Sequence, residues 1–331
     1  MPHRRHAGKV EHMKIIKDIV NKYALMLAVP IAGFLLLWLV FPDAVGIKNV
    51  PSLLKQAIAP AVLGWGVLFN MKVGNWDFSV GSEVLISSII GGNLAIMLGL
   101  GMPGMMILNI LIGLAAGALV GLVYYLLKIP TIIVSIGMLL IYESIGSYVF
   151  GGAGVYIPSD WKLLSSGSLF IIALLAAGFS YFLFYKSQIG YNVRAAGNNA
   201  NVASINGLNV YRIKVTSIAI AGMFSGIYAM ICLGTSGVQK TVGSMNSMGT
   251  CFDAMMCVFV GMSISRKGNL IASIFCGSIV MQLIKLCLMA CGFPSEYNSI
   301  IIAVFVLAFM ALDSYTQVSA AKKRAGRAVN I

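Results

Sequence analysis

The sequence has 331 residues, of which 59% are hydrophobic and 10% are charged, and its formal net charge is +13. Soluble domains carry a charge on roughly a quarter of their residues, so this composition excludes an ordinary soluble globular protein. The basic residues lie mainly at the ends of apolar runs, which indicates orientation in a lipid bilayer and argues against a nucleic-acid partner.

Apolar runs of membrane-spanning length recur along almost the whole chain. A bilayer core of about 30 Å needs about 20 helical residues to cross it. The runs lack the period-two alternation that is typical of membrane β-strands. We therefore predict an all-α polytopic membrane protein with about ten transmembrane helices. The predicted spans are 24–41, 53–70, 79–98, 105–127, 131–150, 169–185, 212–234, 248–264, 269–291 and 297–315.

The predicted spans form a single transmembrane domain, 23–315, between a basic N-terminal segment, 1–22, and a basic tail, 316–331. If the N-terminus is cytoplasmic, most of the 23 lysines and arginines fall on the cytoplasmic side. The positive-inside rule therefore predicts that both termini and the loop 186–211 are cytoplasmic. The segment 151–168 is then expected on the outside.

Glycines repeat every four residues in two of the spans. Gly113, Gly117 and Gly121 follow this spacing in the fourth span, and Gly222 and Gly226 follow it in the seventh. Such spacing lets helix backbones approach closely in lipid. Both a contact within the chain and a seam between two copies fit this pattern.

The sequence predicts neither a metal site nor enzymatic chemistry. The six cysteines lie in or next to apolar spans without a CxxC motif, so buried free thiols are expected. No histidine follows His12, and neither a metal-ligand cluster nor a Gly-x-Ser-x-Gly elbow occurs.

The loop 186–211 is long for a connection between spans, and it contains many asparagines and no acidic residue. Long loops in compact proteins are usually functional or disordered. Here Asn198 or Asn199 can cap a helix, ANVASI can form one or two turns, and Gly207 is a natural stop. We predict a short cytoplasmic helix whose apolar face, with Val202 and Ile205, docks into a partner's groove. Arg194 is expected to be a charged anchor at the edge of that helix.

The stretch RAAGNNANVASINGLNVYRIKV, 194–215, resembles the cytoplasmic motif of the ribose/galactose-type ABC importer permeases. That motif runs close to R-A-x-G-G-N-x-x-A-A-x-x-x-G-I-x-V-x-R-x-K between two spans. The matching positions in this chain are Arg194, Ala195, Gly197, Asn198, Ala203, Gly207, Val210, Arg212 and Lys214. Asn199 stands near the place where the family usually has Asn-Pro or Gly-Asn.

Three further segments are similar to the same family. NWDFSVGS, 75–82, is similar to G-x-D-L-S-V-G-S, with Asn75 in place of the glycine. FDAMMCVFVGMSISRKGN, 252–269, is a diluted match in which Met262 replaces a glycine. EYNSIIIAVFVLAFMALD, 296–313, resembles the last span. Together the resemblances cover most of the chain.

The resemblance implies a non-catalytic transport subunit in a bacterial cytoplasmic membrane. In such importers an extracytoplasmic binding protein delivers a small hydrophilic solute, two permease subunits form the path, and ATPases drive transport. The short helix would be the coupling helix, and the residues expected to couple it to the ATPase are Arg194, Ala195, Gly197, Asn198, Asn199, Ala203 and Gly207.

ATP and Mg²⁺ are expected on a partner ATPase, because the sequence contains no G-x-x-x-x-G-K-[ST] motif. No cofactor is expected in this chain. The resemblance implies a monosaccharide such as a pentose or hexose as the solute, with a nucleoside or a furanose-like signalling molecule as the alternative.

The segment around Asp77 is expected to shape the start of the third span. Asp77 or Ser79 would cap that helix, and Gly81 would allow close packing. Trp76 is expected to be an interfacial belt residue.

Polar residues inside spans are costly and are therefore candidates for lining a translocation path. The candidates are Asn70, Glu83, Ser88, Ser135, Glu143 and Asp253. A structural alternative is an ion pair between Lys285 and either Asp253 or Glu296. Buried carboxyl groups also suit a proton relay, so an ion-coupled secondary transporter is the alternative function.

Overall fold

The structure is a computed structural model that describes residues 26–42, 45–161, 166–241, 243–265 and 268–293, together with Ile300 and Val304. Apart from those last two residues, the predicted span 297–315 lies outside the described residues. The basic segments 1–22 and 316–331 lie outside them as well.

The described part of the chain is almost entirely helical. The helices are interrupted by a few 3-10 or π turns and by two short strands, β1 (Val155–Tyr156) and β2 (Val238–Gln239). The α-helices are α1 Met26–Val40, α2 Val50–Lys72, α3 Val80–Met97, α4 Gly101–Leu127, α5 Thr131–Tyr148, α6 Ser166–Tyr181, α7 Gln188–Asn198, α8 Ala200–Ile205, α9 Val210–Ser236, α10 Met248–Ile264 and α11 Leu270–Ala290.

Seven helical segments within the described residues are long and apolar enough to cross a bilayer. They contain α2, α3, α4, α5, α6, α9 and α11, and α1 and α10 are shorter apolar helices. Each of the first nine predicted spans therefore coincides with an apolar helix. The total of about ten spans and the orientation of the termini stay predictions.

The helices fall into an inner and an outer group. Most of α2, α3 and α9 is buried, whereas α4, α5 and α6 leave many leucines, isoleucines and aromatic residues exposed. The core lies along α2, where Phe69 and Leu63 are fully buried and Gly66 lets Phe224 of α9 approach. The Trp65 indole N–H donates to the Ile271 carbonyl at 2.9 Å, which ties α2 to the start of α11.

Helices α4 and α9 pack backbone to backbone through the predicted glycine repeats. A Cβ atom at Gly113 would lie 2.4 Å from the Gly222 carbonyl oxygen, and one at Gly117 would lie 2.8 Å from the Gly222 Cα. A Cβ atom at Gly226 would lie 2.3 Å from the Asn109 carbonyl oxygen. The repeats therefore serve a contact within the chain, one of the two alternatives that the sequence left open.

The connections between helices gather at two ends of the bundle. At one end, Asn75 donates to the Lys214 carbonyl at 3.2 Å, and the rings of Tyr124 and Tyr211 stack. At the other end, β1 (Val155–Tyr156) pairs antiparallel with β2 (Val238–Gln239). The connection that leads from β2 into α10 does not stay at that end, because Ser247 meets Gly81 beside the α2–α3 turn. The alternation of loops between the two sides of the membrane therefore stays a prediction.

The close approach of α4 and α9 predicts that side chains are not tolerated there. Gly117→Ala would push a methyl group against backbone atoms of α9, and overpacking of this kind typically costs 1–3 kcal/mol, so we expect about that loss of stability. The check is the thermal unfolding midpoint of the purified protein in detergent. Gly137→Ala on α5 is the matched control, because an added Cβ there meets nothing within 4 Å. Equal midpoints for the two variants would contradict the role of the glycines.

Candidate functional site

The short helix predicted from ANVASI is α8, Ala200–Ile205. Asn199 caps it: its side-chain oxygen accepts the backbone N–H groups of Asn201 and Val202, both at 3.1 Å. Gly207 ends it with a φ of +82°, a conformation that glycine adopts without a Cβ penalty. Asn198, the other predicted cap, is instead the exposed last residue of α7.

Helix α8 has an apolar face that is exposed on the surface of the protein. Val202 is 52% exposed and Ile205 is 85% exposed, whereas Ala203 is buried against the rest of the protein. Exposed apolar side chains that are grouped on one helix face are typical of a docking surface. We name Val202 and Ile205 the α8 face.

Arg194 does not have the position that the sequence predicted for it. Its guanidinium donates to the Phe184 carbonyl and lies over the rings of Phe184 and Tyr185, 5.4 and 5.6 Å from their centroids. Phe184 is fully buried at the π-helical end of α6. Arg194 therefore holds α7 against the end of α6, and it is not a charged anchor at the edge of α8.

Helix α7 is also seated on the end of α2. A Cβ atom at Gly197 would lie 2.0 Å from the Lys72 carbonyl oxygen, so only glycine fits this approach. Gly190 makes an equally close approach to the carbonyl groups of Leu183 and Phe184. Ala195 is half-buried beside them. Helix α8 is thus attached through α7 to α2, which together with α3 is the most buried of the long apolar helices in the described residues.

A second group of polar residues is buried where α2 passes into α3. The Asp77 carboxyl accepts the Ser79 N–H at 3.0 Å, the Ser79 hydroxyl at 2.5 Å and the Asn70 amide at 3.0 Å. The Ser79 hydroxyl also lies 3.2 Å from the Glu83 carboxyl, whose other oxygen lies 3.2 Å from the Ser225 hydroxyl on α9. We name these five residues the buried carboxyl cluster.

The hydroxyl protons at the buried carboxyl cluster are too few to donate to every carboxyl oxygen there. Each hydroxyl group has one proton to donate. The Ser79 proton has a closer acceptor in Asp77, and the Ser225 proton has the Ala221 carbonyl at 3.0 Å. Among the described residues no cation pairs with Glu83 or Asp77, and two adjacent buried carboxylates would repel each other. A protonated Glu83 removes that repulsion and can donate to one of the hydroxyl groups.

The turn between α2 and α3 is inside the protein. Asn75, Asp77, Phe78 and Ser79 are buried, and the half-buried Trp76 packs against Phe259, with their ring centroids 5.9 Å apart. Trp76 is thus partly held by the bundle, and its predicted role as an interfacial belt residue stays a prediction. Ser79 is the N-cap residue of α3, although its side chain makes no cap hydrogen bond.

Gly81 supplies the close packing expected of it. A Cβ atom there would lie 1.9 Å from the Ser247 carbonyl oxygen at the start of α10. The Cys251 thiol of α10 also donates to the Asp77 carbonyl at 3.2 Å. The α2–α3 turn and the start of α10 therefore fit together directly.

Comparison with known proteins identifies the kind of protein to which this site belongs. Residues 49–310 match the family model described as "Branched-chain amino acid transport system / permease component". The chain belongs to this permease family. The permease has no match among solved structures.

Several curated relatives are similar to the permease over most of its length. The L-arabinose ABC transporter permease protein AraH of Azospirillum brasilense is 24% identical, over 90% of this chain and 89% of the relative. The galactofuranose transporter permease protein YtfT of Escherichia coli is 25% identical, over 82% and 81%. The ribose import permease protein RbsC of Haemophilus influenzae is 22% identical, over 83% and 87%. The resemblance to sugar importer permeases is thereby confirmed.

The remaining path candidates Glu143, Ser88 and Ser135 form hydrogen bonds with groups outside the five residues of the buried carboxyl cluster. Glu143 accepts the backbone N–H groups of Met245 and Ser247, both at 2.9 Å, and holds the segment that leads into α10. The hydroxyl groups of Ser88 and Ser135 donate to carbonyl groups of their own helices. A path-lining role for these residues stays a prediction.

Asp253 forms an ion pair with Lys285 at 2.6 Å, which was the structural alternative for this residue. The pair joins α10 to α11, and both side chains are partly exposed. The competing partner, Glu296, lies outside the described residues.

Sequence reasoning missed Ser225 as a member of the buried carboxyl cluster. A serine inside an apolar helix usually bonds to the carbonyl four residues back, as Ser225 does to Ala221, so it gives no signal of a second contact. Only the packing of α9 against α3 shows that its oxygen faces Glu83.

If Glu83 is neutral, the stabilities of its variants should follow a definite order. Glu83→Gln retains a neutral side chain of the same size that can donate to a hydroxyl group, so we expect an unfolding midpoint close to that of the parent. Glu83→Ala leaves a void and removes the proton donor from the hydroxyl oxygen that Glu83 would serve, and one buried acceptor left without a partner costs about 1–3 kcal/mol. Ser88→Ala, equally buried on α3, should cost much less and is the control. If Glu83→Gln is as damaging as Glu83→Ala, the site needs a negative charge.

Proposed function

We propose that the chain is the membrane-spanning subunit of an ABC importer that takes up a small hydrophilic solute across a bacterial cytoplasmic membrane. The proposed solute is a monosaccharide such as a pentose or hexose. Support comes from the permease family and from the relatives, whose names include L-arabinose, galactofuranose and ribose. The proposed complex also contains a second permease subunit, a binding protein outside the membrane, and an ATPase that binds ATP and Mg²⁺.

The observation that carries the proposal is the α8 face. An isoleucine with 85% of its surface exposed, at the tip of a capped helix, gains free energy when a partner covers it. No acidic residue occurs between Trp161 and Phe252 to oppose an acidic partner surface. A groove on an ATPase fits a helix of this size and chemistry.

The supports of α8 are suited to transmitting movement. Gly197 rests on the Lys72 carbonyl group, so a displacement of α7 presses directly on the end of α2. The Leu208 N–H donates to the Ala203 carbonyl at 3.0 Å, and Asn209 caps α9, so α8 continues almost directly into α9. Helices α2 and α9 are two of the most buried helices. A displacement of α8 would therefore be transmitted to the core of the protein.

The transported solute distinguishes the proposed sugar importer from importers of other solutes. The family description refers to branched-chain amino acids, and another relative is the autoinducer 2 import system permease protein LsrC of Escherichia coli. Radiolabelled L-arabinose, D-ribose, D-galactose, uridine and L-leucine would be tested in proteoliposomes that contain the permease, its ATPase and its binding protein. ATP-dependent uptake of a sugar is the expected result. Uptake of leucine alone would contradict the proposed solute.

The α8 face predicts which change uncouples the complex. Ile205→Asp places a charge in the proposed apolar contact, and we expect the ligand-stimulated ATPase rate to fall more than tenfold while the permease stays in the membrane. Tyr148→Asp is the matched control, since Tyr148 is equally exposed but lies at the opposite end of the bundle. Stimulation unchanged in Ile205→Asp would contradict ATPase docking at this face.

Uptake that persists without ATP and collapses with the proton gradient would favour a secondary transporter.

A further inference from the structure

A cavity of about 510 Å³, lined by both polar and apolar side chains, lies between the start of α2 and the end of α11. Its polar wall consists of Lys48, Asn49, Ser52, Gln56, Gln282 and Lys285. Binding pockets for small molecules have volumes of roughly 300–1,000 Å³, so the space suits one small solute. We name it the α2–α11 cavity.

The polar wall reaches well into the two helices. Gln56 lies six residues past the first residue of α2, which is about 9 Å of helix, and Gln282 lies about 12 Å before the last residue of α11. Gln282 is only 9% exposed. Polar side chains at such depth are costly against lipid and usually face a water-filled space or the interior of the bundle. The wall is therefore adapted to water or to a hydrophilic solute.

One of the two lysines in the wall of the α2–α11 cavity is neutralised by an ion pair, and the other lies at the exposed edge. The Lys285 ammonium group is paired with Asp253 at 2.6 Å, and Lys48 is an exposed residue next to the start of α2. Amide and hydroxyl groups make up the rest of the polar wall. This composition favours a neutral ligand that can both donate and accept hydrogen bonds.

The hydrogen bonds within the wall leave acceptors for a ligand. The Gln56 amide donates to the Ser52 hydroxyl at 3.1 Å, and the Gln282 amide donates to the Gln56 carbonyl at 3.3 Å. Within the part of the chain that the structure describes, the side-chain oxygens of both glutamines accept no hydrogen bond. Both amides are therefore held by their N–H groups with their oxygens available, which suits the hydroxyl groups of a polyol.

We propose that the α2–α11 cavity is the outer vestibule in which the permease receives a neutral polyhydroxylated solute. This inference rests on the proposed function and names residues that the sequence analysis did not select. The predicted topology places the start of α2 and the end of α11 on the outside, where a binding protein would release its ligand.

The first test is accessibility from outside the cell, which needs no knowledge of the solute. Ser52→Cys, Gln56→Cys and Gln282→Cys are made in the full chain with Cys287→Ser and Cys291→Ser, since these two native thiols lie near the cavity and are not buried. Intact cells are treated with a membrane-impermeant methanethiosulfonate reagent. We expect labelling at 52, 56 and 282, as at the exposed control Tyr148→Cys, and none at the lipid-facing control Leu122→Cys. Labelling of Tyr148→Cys without labelling at 56 and 282 would overturn the vestibule.

The second test is recognition of the solute by the assembled complex. Gln282→Leu and Gln56→Leu remove the two amides at nearly constant volume, and we expect at least a tenfold lower rate of ATP-dependent uptake of L-arabinose or D-ribose. The thermal unfolding midpoint and the yield of assembled complex are measured for both variants, and values equal to those of the parent exclude a folding defect. Unaltered uptake in both variants would overturn the recognition role. A parent complex that takes up no sugar with ATP would instead contradict the proposed function, and the labelling result would still decide whether the cavity opens to the outside.

Discussion

Asp77 holds the turn between α2 and α3 inside the bundle through its hydrogen bonds. The rest of the structure depends on this interaction. A non-helical stretch of backbone in an apolar protein must have its polar groups satisfied by the protein itself. Asp77 satisfies the Ser79 backbone and fixes Asn70 at the end of α2. The turn then offers its own groups to α9, through the Lys214 carbonyl, and to α10, through Cys251.

The same turn lies directly beside the point where α7 packs against the end of α2. Lys72, the last residue of α2, receives Gly197, and Asn75 binds α9 three residues later. One short region of chain therefore meets the two elements that flank α8. The α8 face and the buried carboxyl cluster are therefore connected through the α2–α3 turn, even though they share no residue.

Local chemistry explains which features could be predicted from the sequence. Apolar runs define the helices because only helices satisfy their own backbone in lipid. The Asn199 cap and the Gly207 stop act within a few residues of α8, and the repeats that contain Gly113 and Gly222 follow from helical spacing. All of these are properties of neighbouring residues along the chain.

Features that depend on packing between distant segments could not be predicted. Arg194 is a surface cation in sequence terms, and only the fold of α6 puts the Phe184 carbonyl within its reach. Glu143 is bound by Met245 and Ser247, about a hundred residues away, and nothing local marks that contact. The α2–α11 cavity likewise requires two helices that are separated by most of the chain.

The exposed isoleucine of α8 has a consequence for the life of the subunit in the cell. If a partner covers Ile205 as proposed, a copy without that partner has an exposed apolar side chain, and exposed apolar surface favours recognition by chaperones and proteases. Orphan copies would be cleared, so the number of importers in the membrane would follow the scarcer of the two polypeptides.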